Sequence, residues 1–338
     1  MIIDLNELTI FIMSRDRNQH LESTIEYYKK YDIRLVVMHK SRFPIDNKFF
    51  YPKLDYKLVD ESFTTRCLIS LEYLKTPYAI LSTDDDRYLP STLASMVTVL
   101  KFNTSISSVG AQAIALSSYG PLVSGQLLYK YLHGYSNTKN SLDERTKQHF
   151  ANAGSNITFS SMYRMYRRDD FCKMLRLFSL NEGISTALIT EVTSELFSLS
   201  LGDIVHVNEL LWVRNFMVEP INTTDWQRSL TFIEWWQESR FENERLKWLS
   251  TISNSLGNYK VILESILMNR SHEKSGLVGI KYNFISMKLK YLIRRALKPK
   301  SLPKKMESAC GELKKLEISY SEIELNHAIV SMRIPFLS

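Results

Sequence analysis

Three consecutive carboxylates, Asp84, Asp85 and Asp86, are the residues of this sequence best suited to chemistry. Adjacent negative charges repel one another, so a folded protein rarely gathers them without a compensating cation. Carboxylate oxygens are the ligands that Mg²⁺ and Mn²⁺ prefer, and these ions keep positions open for a phosphate. The triplet therefore predicts a divalent-metal site. The alternative, a solvated acidic loop that caps the next helix, stays open.

The residues around the triplet predict a strand before it and a helix after it. Tyr78 to Leu81 is a short apolar run typical of a buried strand. Pro90 suits the first turn of a helix, where its missing N–H costs nothing. The carboxylates would then lie at the carboxyl end of a strand, which is where ligands bind in open α/β sheets.

The chain upstream alternates between apolar runs and helical spacing. Strands are predicted at 8–13, 33–38 and 56–59, and helices at 21–30 and 63–74. This order predicts an α/β fold with a mostly parallel sheet and crossover helices. Short loops at one edge of that sheet would bring together the triplet, Arg15, Asp16, Arg17 and Asp60. Such a mixture of cations and carboxylates suits a nucleotide diphosphate with its metal.

Two common nucleotide-binding classes lack support. The sequence contains neither G-x-G-x-x-G nor G-x-x-x-x-G-K-[ST]. Dinucleotide-dependent dehydrogenases and P-loop NTPases use these glycine-rich loops to cradle phosphates. Metal and arginine would have to neutralise the phosphates instead.

Composition and cysteine usage indicate a cytoplasmic protein. The 338 residues are 44% hydrophobic and 23% charged, which is ordinary for a soluble globular protein. No apolar run approaches the roughly 20 residues of a membrane span, and the first residues show no secretory signal. The three cysteines are widely scattered, which fits a reducing compartment and no zinc site.

The order of elements resembles a GT-A glycosyltransferase, most closely the family 2 group of bacterial sugar transferases. The resemblance extends over roughly residues 8 to 217. Its most specific motif is Thr83-Asp84-Asp85-Asp86 with Pro90, which is similar to the family's acidic motif and the proline after it. The resemblance implies a Rossmann-like GT-A domain, residues 1–218, followed by a helical C-terminal region, residues 219–338.

The resemblance also implies roles for single residues. Nucleotide contacts fall to Ser14, Arg15, Asp16 and Arg17 after the first strand, and to Arg66, Asp60 and Asp84. Asp85 and Asp86 are the expected ligands of Mn²⁺ or Mg²⁺. Threonine stands at the first acidic position of the motif, which leaves the division of labour within the triplet open. His39-Lys40-Ser41 stand where the family has a base-reading carboxylate, so the nucleobase is open too.

A second stretch with catalytic potential runs from Ile189 to Val207. It predicts a helix ended by Gly202 and then a strand. Family members carry a catalytic Glu-Asp pair, which acts as the base, near the start of a similar helix. Glu191 matches that register. A carboxylate there would take the acceptor's proton in an inverting reaction. Glutamate in a first helical turn is also favoured by the helix dipole alone, and Glu195 is the alternative base.

Two histidines are predicted to have ordinary surroundings. Residues Tyr135 to Asn152 are polar and poor in aliphatic side chains, which predicts a long mobile loop over the site with a solvated His149. A proton carrier is the alternative role for His149. His206 lies in an apolar strand, which predicts a half-buried ring with satisfied hydrogen bonds. The resemblance offers a metal ligand as the alternative role for His206.

The net charge of +7 is concentrated between Arg270 and Lys305. Within this stretch, residues 278–297 place Lys281, Lys288 and Arg295 on one face of a predicted helix and apolar residues on another. A basic amphipathic helix suits an anionic membrane surface. A homodimer contact or a core helix is the alternative.

The resemblance implies a glycosyltransferase of bacterial surface polysaccharide synthesis. It would move a sugar from a nucleotide-sugar donor to a glycan or lipid-linked acceptor. It would act in the cytoplasm, or peripherally on the inner face of the cell membrane, and no nucleic-acid partner is expected. The alternatives are a non-enzymatic membrane- or nucleic-acid-binding protein and a sugar nucleotidyltransferase.

Overall fold

One mixed β-sheet organises the part of the chain that the computed structural model describes. The described residues are 5–119, 122–128, 133–153, 161–184, 188–215, 235–236, 238–256 and 310–333. The strands are β1 (Leu8–Arg15), β2 (Arg34–Lys40), β3 (Leu54–Leu58), β4 (Tyr78–Thr83), β5 (Arg87–Tyr88), β6 (Ile106–Tyr119), β7 (Leu122–Leu128), β8 (Ser136–Asn137), β9 (Met165–Arg167) and β10 (Asp203–Asn215). They lie in the order β3-β2-β1-β4-β9-β6-β10-β5, with β7 beside β6 and β8 beside β10.

Helices cover the sheet. They are α1 (Asn18–Lys29), α2 (Phe63–Ser70), α3 (Pro90–Phe102), α4 (Leu142–Ala153), α5 (Arg168–Ser179), α6 (Leu188–Leu201), α7 (Glu242–Leu256) and α8 (Glu322–Arg333). Of the helices described, none is long and apolar enough to cross a membrane.

The central strand β1 is buried on both faces of the sheet. Ile10 and Ile12 belong to one apolar cluster, and Phe11 and Met13 belong to a second cluster. Side chains alternate between the two faces of a strand, so a continuous apolar run is what a strand covered on both sides requires. This explains why the run of apolar residues from Leu8 predicted the strand correctly.

The predicted α/β fold is confirmed, and its sheet is mixed, because β5, β7, β8 and β9 pair antiparallel with their neighbours. β1 pairs in parallel with β2 and β4, and β10 pairs in parallel with β6. Between β4 and β6 lies β9, which is antiparallel to both. At three residues β9 is too short to show a hydrophobic period, so sequence reasoning could not set its direction.

The prediction of a long loop from Tyr135 to Asn152 is wrong. These residues contain β8 and most of α4. The inward face of α4 is polar, because Thr146 and His149 are buried there, so the helix lacks the apolar stripe that signals one. His149 is therefore not the solvated residue that was predicted.

The structure tests the predictions for the C-terminal region only in part. The basic segment 278–297 lies outside the described residues. Within the described C-terminal residues, 310–315 are helical and α8 begins at Glu322. α8 packs against α1 and β10, and places Leu325, Ile329 and Met332 in the main core. The division of the chain after residue 218 stays a prediction.

His206 lies on β10 directly beside Gly110 of β6. The ring is buried, and neither nitrogen has a hydrogen-bond partner among the described residues. The predicted half-buried, satisfied ring is thus wrong. Burial lowers the pKa of His206 well below its usual value, so the imidazole is neutral. Only a glycine at position 110 leaves room for it.

Gly110→Ala is expected to destabilise the protein by about 1–3 kcal/mol, the usual cost of overpacking a core. A Cβ at this position would lie 2.5 Å from Cε1 of His206. Chemical denaturation measures the difference in the free energy of unfolding. The same change in a His206→Ala background should cost much less. Gly311→Ala, whose Cβ would meet no atom within 4 Å, is the control. Equal costs in both backgrounds would contradict the steric explanation.

Candidate active site

The aspartate triplet lies where β4 ends, next to the end of β1. The parallel register of the two strands pairs Met13 with Thr83, so the loops that follow them are neighbours. The hydroxyl of Ser14 donates a hydrogen bond of 2.6 Å to Oδ2 of Asp84. The structure therefore joins the loop after the first strand to the acidic motif, as expected for a site at the carboxyl edge of the sheet.

Arg17 is the cation that bridges the triplet. Its Nη1 lies 3.3 Å from Oδ1 of Asp84 and 2.5 Å from Oδ2 of Asp85. Burial opposes the charge of the guanidinium, but Asp85 and Asp84 outweigh it and raise the pKa of Arg17. Its Nε is buried without a hydrogen-bond partner in the described part of the chain. One donor of this bridging arginine thus has no acceptor among the described residues.

The triplet carries more negative charge than its surroundings readily hold. Asp84 and Asp86 are buried. Burial first, and the charge of Asp85 second, raise the pKa of both carboxyl groups above their usual value. Asp86 accepts the N–H of Asn215 at 3.2 Å, and Asp85 accepts the hydroxyl of Thr83 at 2.7 Å. A further cation at this position would relieve the repulsion.

The donor set suits a hard divalent cation that is completed by other ligands. Within the described ranges, no group of three or more His, Cys, Asp or Glu side chains is arranged to hold a metal ion. Mg²⁺ commonly takes one or two carboxylates and completes its shell with water and phosphate oxygens. Asp85 and Asp86 offer oxygen atoms only and lie in an excess of negative charge, so they fit Mg²⁺ or Mn²⁺ in this mode.

Arg66, predicted to contact a nucleotide, supports the site from below. It is buried on α2, and its Nη1 donates to the carbonyl oxygens of Ser14 and, at 3.0 Å, Met38. These oxygens lie near the carboxyl ends of β1 and β2. The arginine therefore holds two strand ends at a fixed separation, and its Nε has no partner in the described chain.

Three other predicted nucleotide contacts lie on the exposed rim. Arg15 and Asp16 pair with each other at 3.7 Å, and Asp16 adopts a left-handed backbone with a φ of 52°. Asp60 is 88% exposed at its side chain and pairs with Lys40 at 2.7 Å. The structure thus joins Ser14 and Arg17 directly to the triplet, whereas Arg15, Asp16 and Asp60 form pairs beside it.

Glu191, the predicted base, lies in the first turn of α6 and is half-buried. Burial raises the pKa of Glu191 to about 7, and the charge of Arg214 opposes that rise. Arg214 also acts on Asp86. The end of β10 therefore lies near both the acidic motif and Glu191. A carboxyl group with a pKa near neutrality can accept a proton at physiological pH.

Glu195, the alternative base, is fully buried and surrounded by donors. It accepts the backbone N–H of Ser161 at 2.7 Å and the hydroxyl of the same residue. His149 Nε2 lies 3.2 Å away and Arg164 Nη2 lies 3.6 Å away. Burial disfavours the charge, yet Arg164, His149 and Ser161 together lower the pKa of Glu195 to about 2. Such a carboxylate is a poor base.

This cluster around Glu195 is what sequence reasoning missed. Glu191 and Glu195 lie one turn apart on α6, so their shared face was visible. The partners of Glu195 come from α4 and from the turn before β9, and no local pattern pairs them. His149 also hydrogen-bonds through Nδ1 to the hydroxyl of Tyr135 at 2.8 Å. The cluster therefore links α6 to α4 and to the turn before β9.

No protein-family model matches this sequence, and no curated protein matches it. Among solved structures, the chain resembles S. aureus TarS 1-349, at 9% identity over 74% of this chain and 72% of that chain, with a TM-score of 0.44. A second S. aureus TarS structure has 9% identity over 74% and 44%, with a TM-score of 0.43. The mannosyltransferase PcManGT from Pyrobaculum calidifontis, in complex with GDP-Man and Mn²⁺, has 9% identity over 92% and 86%, with a TM-score of 0.40.

Glu195→Gln is expected to lower the free energy of unfolding by about 3–5 kcal/mol at pH 7, since it leaves Arg164 buried without its carboxylate. The pKa of Glu195 falls from 4.5 to about 2 on folding. The stabilisation is therefore complete above pH about 4.5 and is lost as pH falls toward about 2. Urea unfolding from pH 7 to pH 3 should show the gap between the proteins narrowing. The control is Glu72→Gln, at an exposed position. Equal stability at pH 7 would refute the role.

Proposed function

We propose that this protein is a glycosyltransferase that moves a sugar from a nucleotide-sugar donor to a hydroxyl of a glycan or lipid-linked acceptor, in bacterial surface polysaccharide synthesis. The observation that carries the proposal is that two carboxylate groups, one after β4 and one in the first turn of α6, have Arg214 as a common charged neighbour. One is the aspartate triplet, of which Asp84 and Asp86 are buried, together with Arg17. The other is Glu191 with its raised pKa. Arg214 acts on both.

The donor's diphosphate would lie against the triplet. Mn²⁺ or Mg²⁺ held by Asp85 and Asp86 would bind phosphate oxygens and stabilise the charge that develops on the leaving nucleotide. The Nε of Arg17, which has no hydrogen-bond partner in the part of the chain that the structure describes, supplies a charged donor for the same oxygens. Ser14 holds Asp84 in place, and Arg66 holds the strand ends on which these residues lie.

The acceptor would meet Glu191. In a single displacement, the acceptor oxygen forms a bond to the anomeric carbon while the bond from that carbon to the phosphate oxygen breaks. The nucleoside diphosphate leaves with the electron pair, and the acceptor's proton passes to the carboxylate of Glu191. Attack from the face opposite the leaving group inverts the anomeric centre. A pKa near 7 leaves a substantial share of Glu191 deprotonated at neutral pH.

The alternatives differ in what they release. A sugar nucleotidyltransferase would also use the acidic motif, but it would release pyrophosphate, and a base for a sugar hydroxyl would be unnecessary. A non-enzymatic membrane-binding protein would release nothing. Incubation in Mn²⁺ with UDP- and GDP-sugars, and in parallel with UTP or GTP and a sugar 1-phosphate, tests the three together. Release of nucleoside diphosphate supports the proposal, whereas release of pyrophosphate, or of neither product, overturns it.

Asp85→Asn and Asp86→Asn should each weaken Mn²⁺-dependent binding of UDP or GDP by at least about tenfold. Even the loss of a residue that only supports a metal ligand commonly lowers metal affinity by about that much. Calorimetry with and without Mn²⁺ measures the change. Asp169→Asn is the matched control, since its side chain is 84% exposed at the start of α5. Unchanged affinity in the two triplet variants would remove the metal from the proposal.

Glu191→Gln keeps the size of the side chain but cannot take a proton. Turnover should fall by about 10²–10⁴-fold, the usual contribution of a positioned base. Donor affinity should change little, since the base contacts the acceptor. In the wild type, kcat/KM should rise with pH through about 7, because Glu191 must be deprotonated. The Gln variant should lack this rise.

Glu72→Gln again serves as the control for the Glu191 variant. Near-normal turnover in Glu191→Gln would exclude this residue as the base. A product that retains the anomeric configuration would exclude the single displacement itself.

A further inference from the structure

The segment 87–91, which consists of β5, Leu89 and the first two residues of α3, is hydrogen-bonded to α8, a helix far away in sequence. We propose that α8 is a positioning element of the candidate active site. Ser331 acts through Arg87, and Glu324 acts through Ser91, and together they hold the segment 87–91 and the adjoining Asp86. What this segment is positioned for rests on the proposed function, whereas the contacts themselves do not.

The guanidinium of Arg87 makes the first connection. The residue is 1% exposed and directly follows Asp86. Its Nε donates to the hydroxyl of Ser331 at 3.0 Å, and its Nη2 donates to the hydroxyl of Ser23 on α1 at 3.0 Å. Ser23 in turn donates to the backbone carbonyl of Ser331. One side of the planar group is thus attached to α8 and to α1 together.

The other side of the guanidinium is attached to the triplet. Nη1 of Arg87 donates to the carbonyl oxygen of Asp86 at 3.0 Å and to the hydroxyl of Thr24 at 2.5 Å. Thr24 donates to the carbonyl oxygen of Asp84. Because the guanidinium is rigid and planar, a shift of α8 at Ser331 would be passed to the backbone of the acidic motif.

These contacts orient Arg87 and do not pair its charge. Its four hydrogen bonds to described residues end on neutral oxygens, which are three hydroxyls and one backbone carbonyl. Such bonds depend strongly on distance and direction. A lysine could supply the charge, but it could not reach three elements with a fixed geometry.

Glu324 makes the second connection, at the start of α3. Its two carboxylate oxygens accept the backbone N–H of Ser91 at 3.2 and 3.1 Å, and one also accepts the hydroxyl of Ser91 at 2.6 Å. Leu89, at the cap position of α3, offers no side-chain acceptor, and Pro90 has no N–H. Glu324 therefore acts as the missing cap and brings negative charge to the helix N-terminus.

The position of α8 against the core does not depend on Ser331 and Glu324. Leu325, Ala328 and Met332 pack into the main core. His327 Nδ1 lies 2.9 Å from the hydroxyl of Tyr31. Substitution of Ser331 or Glu324 should therefore make the segment 87–91 more mobile while α8 stays in place.

The test uses the full chain with Ser331→Ala, Glu324→Gln and both together. Ile323→Ala, at a residue that is 83% exposed on α8, is the control. Hydrogen exchange should accelerate by about tenfold or more at the amides of residues 86–93, the mark of a local loss of protection. Exchange in β2, on the far side of the sheet, should stay unchanged. Ser331→Thr, which keeps the hydroxyl, should restore protection.

Kinetics separate positioning from stability. With nucleotide-sugar and Mn²⁺, kcat should fall by about three- to tenfold in the two variants while KM for the donor stays within about twofold, as for a group that acts on the transition state. Unchanged exchange at 86–93 would overturn the proposal. So would equal acceleration throughout the sheet, or altered exchange with unchanged kcat. If the wild type transfers no sugar, the proposed function fails. The exchange data then still decide whether α8 holds the segment 87–91.

Discussion

Burial of negative charge at one edge of the sheet is the constraint on which the candidate site depends. Three carboxylates stand in sequence after β4, and two of them, Asp84 and Asp86, are buried. Their repulsion is offset by the bridge from Arg17 and by donors from Ser14 and Asn215. Those donors are held in place only if the ends of β1, β4 and β10 lie together. The electrostatics of the site therefore depend on the geometry of the sheet.

Two buried polar networks flank this edge. In one, Glu195 collects Ser161, His149 and Arg164 and joins α6 to α4 and to the turn before β9. In the other, Arg87 joins the acidic motif to α1 and α8. Buried polar groups are costly unless they are satisfied, so each network admits few arrangements. Between them they restrict where Asp86 and Glu191 can lie.

The two glutamates of α6 show how surroundings separate like side chains. Glu191, half-buried with one nearby arginine, has its pKa raised to about 7. Glu195, one turn further along, has its pKa lowered to about 2 by its donors. The first suits proton transfer, and the second suits a permanent charge that holds neighbouring elements. Helical spacing puts both residues on one face, and only the partners from other elements distinguish their chemistry.

The sequence by itself determined the features that depend on neighbouring residues. The apolar runs of β1 and β4 and the carboxylates after β4 follow from local patterns, because a strand buried on both faces needs continuous apolar residues. The direction of β9, the polar inward face of α4 and the cap that Glu324 gives to α3 were decided only by the tertiary structure. The same holds for the contact between Arg87 and Ser331, residues separated by 244 positions. Hydrogen bonds between distant residues leave no period in the sequence, since each partner is selected by its place in the fold and not by its neighbours along the chain.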